Sequence, residues 1–183
     1  MNKKYKLIKS DIEDLFRIRA LKKFGDVNKG DIGGYVESED NLSHFGNCWI
    51  FDNAKVYENA MVSGDAYVSG YAQVSDCAQV YGNALVSEDA RVSGNARIYG
   101  KAHVYGDAEV SGNAQVSGSA KINIADITGD NKVFGTAASF KDGQIVSDLT
   151  CLCANKKEVT SATMGASFKV CSKTLGGCGK EIV

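Results

Sequence analysis

The chain has 183 residues, of which 21 are basic, 22 acidic, 20 glycine and none proline, and its net charge is −1. This length predicts one domain, or one domain with small appendages, and the start, MNKKYKLIKSD, lacks the apolar core of a secretory signal. No apolar run approaches the roughly 18 residues of a membrane span, so we expect a cytoplasmic protein that stays out of the membrane. The balanced charge offers no basic surface for direct nucleic-acid binding, which we therefore do not expect.

Residues 1–32 carry apolar side chains that predict two strands, or one strand and a short helical turn, laid over the start of a repetitive region. We interpret this segment as an N-terminal β cap, because the end of a stacked β structure exposes unpaired strand edges. The apolar side chains are Tyr5, Leu7, Leu15, Phe16, Ile18, Ala20, Leu21 and Phe24.

Residues 46–123 divide without a gap into six-residue units, which we call hexads. Ala occupies the third position of every hexad but the first, where Cys48 stands, and Val or Ile occupies every fifth position. A period this strict indicates a repeat architecture. The hexads are GNCWIF, DNAKVY, ENAMVS, GDAYVS, GYAQVS, DCAQVY, GNALVS, EDARVS, GNARIY, GKAHVY, GDAEVS, GNAQVS and GSAKIN.

One hexad reads as a turn followed by a short strand. The third and fifth positions are two apart, so in an extended segment both point to one side, and the fourth points to the other. The first two positions are mostly Gly, Asn, Asp and Glu, which favour turns. Strands this short do not make a hairpin meander, so the repeat predicts a parallel β-helix in which each strand stacks on its copy in the next coil.

The phase of the repeat slips at both ends. Leu42 precedes Ile50 by eight residues, which indicates a two-residue insertion around His44 and Phe45. Beyond the last hexad the step from Ala120 to Ala125 is five residues, which indicates a one-residue deletion, and the period then resumes. We therefore predict a β-helix of about five coils over residues 33–136.

Two resemblances extend this prediction. The hexapeptide pattern resembles the left-handed β-helix of hexapeptide-repeat proteins, which implies a left hand and three hexads per triangular coil. The segment FGDVNKGDIGGYVESEDNLSHFGNCWIFDNA is similar to the entry module of YdcK-like hexapeptide-repeat proteins. The resemblance implies a setting in bacterial genomes, phages and mobile elements, and no common reaction. Its pattern is carried by Phe24, Asp26, Val27, Gly30, Gly33, Gly34, Val36, Leu42, Ser43, Gly46, Trp49, Ile50 and Asp52.

Residues 137–183 form a third region, predicted to be a β-rich module that contains cysteines. SFKDGQIVSD reads as a hairpin around Asp142 and Gly143. Four cysteines could hold a zinc ion, but the usual C-x2-C spacing is absent, so we favour reduced, partly buried cysteines and predict no metal and no cofactor. They are Cys151, Cys153, Cys171 and Cys178.

Candidate catalytic residues are few. Hexapeptide acyltransferases use a His as general base towards acyl-CoA, and the chain has only His44 and His103. His44 lies in the entry loop, and no long loop interrupts the hexads beside His103 to form a pocket. We therefore predict no catalytic residue and favour a protein that is not an enzyme.

One outward column of the predicted helix is unusually apolar. Three hexads per coil place every eighteenth residue on the same face, and one such column contains large apolar side chains that a soluble monomer normally covers or uses. Three alternatives follow: the N-terminal segment covers Trp49, identical chains meet there as a trimer or dimer, or a different protein docks there. The predicted binding surface consists of Trp49, Phe51, Tyr67, Leu85, His103 and Tyr105.

Two functions from different classes remain. The favoured one is a non-catalytic β-helix that binds another protein, itself expected to be a homo-oligomer. One concrete version, which rests on the resemblance to mobile-element proteins, is an inhibitor of a bacterial defence enzyme such as a CRISPR nuclease, an anti-CRISPR protein. The alternative is a hexapeptide-repeat acyltransferase that uses acyl-CoA.

Overall fold

A computed structural model describes residues 3–123 and 125–135, together with the backbone of residues 138–139 and 145–146. The described chain is all-β apart from one short 3-10 helix at Glu39–Asn41. The strands, in chain order, are β1 Tyr5–Lys9, β2 Phe16–Ala20, β3 Ile32–Val36, β4 Trp49–Ile50, β5 Lys55–Val56, β6 Met61–Val62, β7 Tyr67–Val68, β8 Gln73–Val74, β9 Gln79–Val80, β10 Leu85–Val86, β11 Arg91–Val92, β12 Arg97–Ile98, β13 His103–Val104, β14 Glu109–Val110, β15 Gln115–Val116, β16 Lys121–Ile122, β17 Asp126–Ile127, β18 Lys132–Val133, β19 Ala138–Ser139 and β20 Ile145–Val146.

Three parallel ladders form the three faces of a β-solenoid of about five coils. The first face contains β4, β7, β10, β13, β16 and β19, and the second contains β3, β5, β8, β11, β14 and β17. The third contains β6, β9, β12, β15 and β18. Because consecutive strands belong to different faces, each coil uses three hexads, and the predicted parallel β-helix is confirmed.

Hydrogen bonds between coils repeat with the hexad. In one hexad the N–H groups of Asn53, Lys55 and Tyr57 donate to carbonyl groups one coil further on, at 3.0, 2.9 and 3.1 Å. Each acceptor lies 17 residues ahead of its donor, and the same pattern recurs through the regular coils. Each coil therefore satisfies its neighbour, which makes stability a sum of nearest-neighbour contacts.

The strand register confirms both phase slips. In the regular coils paired residues are 18 apart, as with Lys55 and Gln73. Tyr35 instead pairs with Lys55, so their separation of 20 residues includes the two-residue insertion. Glu109 pairs with Asp126, and their separation of 17 residues reflects the one-residue deletion. The insertion and the deletion both lie in corners, since the strands on either side of each corner remain paired with their neighbours.

The interior consists of two kinds of column. The third-position Ala and fifth-position Val or Ile side chains of the hexads are at most 1% exposed. Beyond the deletion, Ala125, Ile127 and Val133 continue the columns at 4%, 5% and 3% exposure. The side-chain period of two in a strand thus separates a narrow apolar core from polar outer faces.

The corners depend on a left-handed backbone conformation at the first hexad position. Most of these residues are Gly, but Glu58 and Asp76 adopt the same positive φ of 56°. Their carboxylates accept hydrogen bonds from the coil above: Glu58 Oε2 accepts from the N–H of Asp76 at 2.6 Å, and Asp76 Oδ2 from the N–H of Gly94 at 2.7 Å. The bond offsets the strain that a side chain adds at such a position.

The structure confirms the prediction of two strands in the N-terminal segment. β1 pairs antiparallel with β2, and β2 pairs antiparallel with β3, so the hairpin extends the second face by two strands. Arg17 fixes the hairpin to the first coil, since its guanidinium donates to the carbonyl oxygens of Gly33 at 3.0 Å and Asp52 at 2.7 Å. The hairpin thereby occupies the free edge of that face. The division into regions at 1–32, 33–136 and 137–183 stays a prediction.

The C-terminal hairpin is confirmed by its pairing, since β19 and β20 are antiparallel and β19 continues the first face. The turn predicted at Asp142 and Gly143 lies outside the described residues. Within the described residues, no helix has the length and apolar character to cross a membrane.

Candidate functional site

The predicted binding surface lies along the first face. Trp49, Tyr67, Leu85 and His103 occupy equivalent positions on β4, β7, β10 and β13 and are paired in register, followed by Lys121 on β16. Their side chains point outward because the next residue of each strand belongs to the core columns. The repeat therefore does bring these residues together in one column.

Trp49 is not accessible on this surface, which corrects its inclusion in the binding surface. It is 1% exposed, because the N-terminal segment covers it. Phe24 and Tyr5 contact its ring edge to face, with centroids 5.3 and 6.1 Å away. Gly33 passes so close that a Cβ atom there would lie 2.8 Å from Trp49 Cε2. Covering of Trp49 was one of the alternatives that the sequence left open.

Phe51 and Tyr67 form the next part of the surface. Their rings meet edge to face with centroids 5.3 Å apart, and both side chains are partly buried against the core. Burial raises the pKa of the Tyr67 hydroxyl, and the nearby carboxylates of Asp26 and Asp65 raise it further. The N-terminal loop reaches this level, since a Cβ on Gly25 would lie 3.2 Å from the Tyr67 hydroxyl.

Leu85, His103 and Tyr105 lie further along the first face and are half-buried. The His103 and Tyr105 rings stack with centroids 4.4 Å apart. His103 Nε2 also shares a hydrogen bond of 2.9 Å with the Ser87 hydroxyl. Burial lowers the pKa of His103, while Glu88 nearby acts in the opposite direction. The imidazole is therefore held in place by two neighbours, and its lowered pKa favours the neutral form.

Sequence reasoning missed Ser87 as a partner of His103. Ser87 is a sixth-position residue one coil below Tyr105, so the 18-residue spacing already placed it beside the column. The spacing was a usable signal, but Ser occupies many sixth positions of the hexads. Only the orientation of the His103 side chain shows that Ser87 is its partner.

A second polar cluster lies beneath the N-terminal segment. Lys4 is fully buried, and its Nζ donates to the Cys48 carbonyl at 2.9 Å and lies 3.3 Å from Cys48 Sγ. Burial lowers the pKa of the Lys4 amine and raises that of the Cys48 thiol. The ammonium also lies 4.9 Å from the centroid of the Phe24 ring. Lys4 therefore joins the segment to the first coil, and no sequence pattern distinguished it from the other lysines nearby.

His44 belongs to the same junction. Its ring lies over Tyr5, with centroids 4.3 Å apart, and its Nδ1 accepts from the N–H of Lys4 at 3.4 Å. Its Nε2 is buried without a hydrogen bond, 3.8 Å from Glu39 Oε2. Burial lowers the pKa of His44. The two histidines thus lie in different parts of the molecule, one at the junction and one on the first face.

Of the cysteines in the hexads, Cys48 is buried in the core and Cys77 is exposed at a turn. Across residues 3–123 and 125–135, no group of three His, Cys, Asp or Glu side chains is arranged to hold a metal ion. The four cysteines considered for zinc, Cys151, Cys153, Cys171 and Cys178, lie outside the described residues.

Comparison with known protein families gives one match. Residues 78–91 and 90–106 match the YdcK Beta solenoid repeat, which agrees with the solenoid seen in the structure and with the resemblance to YdcK-like proteins drawn from the entry module. A comparison with curated proteins gives no match.

Proposed function

We propose that this chain, which carries YdcK beta solenoid repeats, is a non-catalytic scaffold that binds another protein through its first face. The observation that carries the proposal is the continuation of one apolar column past the point where the chain covers it. At Trp49 the chain's own Phe24 and Tyr5 pack on the column. Above it, Leu85 continues the column and Tyr105 lies beside it, and among the described residues no ring contact joins Tyr105 to the N-terminal segment.

The energetics of protein interfaces support this choice of surface. Aromatic side chains in a flat, partly desolvated setting are frequent centres of binding energy. Phe51, Tyr67 and Tyr105 are already held by neighbouring rings, so binding would cost little side-chain entropy. The third face presents Gln79, Arg97 and Gln115 at the equivalent outward positions beyond Met61, which suits solvent better.

The test compares two double variants in capture from bacterial lysate by the tagged full chain. Leu85→Glu with His103→Glu places two carboxylates on the first face, and Gln79→Glu with Gln115→Glu makes the same change of charge on the third face. We expect the first variant to capture its partner at least about tenfold less than the parent, and the control to capture it normally. The captured protein is then purified and its affinity for all three chains measured. Equal affinities would place the binding surface elsewhere.

The narrower hypothesis, inhibition of a bacterial defence enzyme, is supported by the resemblance to phage and mobile-element proteins. Its test adds a purified CRISPR nuclease to the parent chain and to the first-face variant and measures DNA cleavage. We expect the parent to reduce cleavage and the variant to restore it. Unchanged cleavage with the parent would remove this nuclease as the partner.

The acyltransferase alternative is tested in parallel. It requires His103 as a general base, whereas the structure has the Nε2 of that residue in a hydrogen bond with Ser87. We expect the parent and His103→Ala to leave acetyl-CoA unchanged in the presence of amine and alcohol acceptors. Turnover that depends on His103 would favour the enzyme over the scaffold.

A further inference from the structure

The outer surface of the second face is polarised in charge along the solenoid. Its strand order is β1, β2, β3, β5, β8, β11, β14 and β17. At the N-terminal end the outward side chains include Lys6, Arg19 and Lys55, and at the other end they include Glu109 and Asp126. One flat surface therefore has a basic end and an acidic end.

At the basic end, Lys6 and Arg19 are direct cross-strand partners on β1 and β2, and both are exposed. Like charges in this position repel one another. Among the described residues no ion pair involves Lys6, Arg19 or Lys55, whereas Lys3 pairs with Glu39 at 2.6 Å. The fold thus places two cations together, and the part of the chain that the structure describes forms no ion pair with them.

At the acidic end the same arrangement occurs with the opposite sign. Glu109 and Asp126 are cross-strand partners on β14 and β17, and both are exposed. Glu109 also pairs with Arg91 at 2.9 Å. The corner before this part of the face adds the exposed carboxylates of Asp89 and Asp107. Besides the Arg91–Glu109 pair, the carboxylates of Asp89, Asp107 and Asp126 make no ion pair among the described residues, so this end carries a net negative charge.

We propose that a second copy of this chain docks on the second face, with the two solenoids running in opposite directions. A two-fold axis parallel to the strands, between the two faces, reverses the order of stacking. Strands β1 and β2 of one copy then oppose β17 and β14 of the other. The basic end of each copy then faces the acidic end of its partner. The same contact therefore occurs twice in the interface, as two-fold symmetry requires.

Electrostatics also selects this arrangement over the other symmetric one. A two-fold axis along the solenoid would place β1 over β1 and Lys6 over Lys6, which sets like charges against each other at both ends. Juxtaposed like charges suppress a wrong pairing. The charge pattern therefore specifies the direction of docking as well as the surface.

The size of the face fits a weak and salt-sensitive dimer. Eight strands at about 4.8 Å spacing extend about 34 Å along the solenoid. With a width of roughly 15 Å, the footprint is on the order of 500 Å² per chain, at the low end of specific interfaces. We expect a dimer with a dissociation constant on the order of micromolar at low ionic strength, weakened as salt shortens the Debye length.

The test uses full-length chains with reversed charge at one end. Lys6→Glu with Arg19→Glu makes both ends of the face acidic, and Glu109→Lys with Asp126→Lys makes both ends basic. In sedimentation velocity at about 20 mM salt, we expect the parent to dimerise and each variant alone to be at least about tenfold weaker. An equimolar mixture of the two variants should form a heterodimer, because their faces are complementary.

The control is Arg97→Glu with Lys132→Glu, which makes the same change of charge on the third face and should dimerise as the parent does. A parent that stays monomeric, or a mixture that forms no heterodimer while both variants retain the parent's melting temperature, would overturn the proposal. The proposal would also be overturned if the parent bound acidic proteins but did not bind a second copy of itself. Leu85→Glu with His103→Glu should leave this dimer intact, so the dimer and first-face binding fail or succeed separately.

Discussion

The N-terminal junction and the regular coils of this solenoid are stabilised in different ways. In the regular coils the core contains only Ala, Val and Ile at two positions of each hexad, and one hydrogen-bond pattern repeats. At the junction the chain buries Trp49, Lys4 and Asn41, each with its own set of partners. A repeat can be read from its period, whereas a junction depends on individual contacts.

We expect the junction and the regular coils to respond differently to substitutions. Each regular coil contacts copies of itself, so a defect affects one layer of a uniform column. The junction concentrates buried polar groups, whose loss leaves partners unsatisfied. Four predictions test this contrast, beginning with the largest expected effect.

Val86→Asp should cause the greatest loss. Val86 is fully buried in a column of aliphatic side chains, so an unpaired carboxylate there should cost about 5 kcal/mol and leave little soluble protein. Yield and melting temperature measure the effect, with Gln79→Asp on the exposed third face as the control. Normal yield and melting of Val86→Asp would mean that the hexad frame is wrong.

Trp49→Ala should destabilise the junction by about 4 kcal/mol, the range seen when a buried large aromatic side chain is removed. Leu85→Ala changes the equivalent position two coils further along the same column, where the side chain is only half-buried, and should cost about 1 kcal/mol. Urea unfolding of both variants measures the difference. Similar losses would show that the N-terminal segment contributes little to the stability of the first coil.

Asn41→Ala should cost about 2 kcal/mol because it leaves several backbone groups without partners. Asn41 Oδ1 accepts from the N–H of Ser38 at 2.8 Å, and its Nδ2 donates to the carbonyls of Glu58 and Ala60 at 2.9 Å each. Asn95→Ala, at an exposed corner, is the control and should cost less than about 0.5 kcal/mol. A small effect at Asn41 would mean that water replaces those bonds.

The smallest predicted effect is a dependence of stability on pH. Burial lowers the pKa values of His44 and His103 in the folded state, so the unfolded chain binds protons more readily just below pH 6.5. Stability should therefore fall as the pH drops below that value and level off below the folded-state pKa values. Unfolding at pH 7.5 and 5.5 should show a smaller decrease for His44→Gln and for His103→Gln than for the parent. An unchanged decrease in both would contradict the assignment.

The candidate site was only partly predictable from the sequence. The column of Tyr67, Leu85 and His103 followed from the 18-residue spacing, which combines the period of six with the three hexads per coil that the resemblance to hexapeptide-repeat proteins implies. The burial of Trp49 did not follow, since it depends on where Phe24 and Tyr5 come to lie after an irregular segment. The role of the remaining residues in binding stays a prediction.

The sequence by itself determined the solenoid, its inward columns and both phase slips, because a period of six couples each residue to its copy through local geometry alone. Only the tertiary structure decided which face the N-terminal hairpin joins. That addition placed Lys6 and Arg19 on the same surface as Glu109 and Asp126. The pairing of β2 with β3 is a long-range contact outside the repeat, and no period in the chain encodes it.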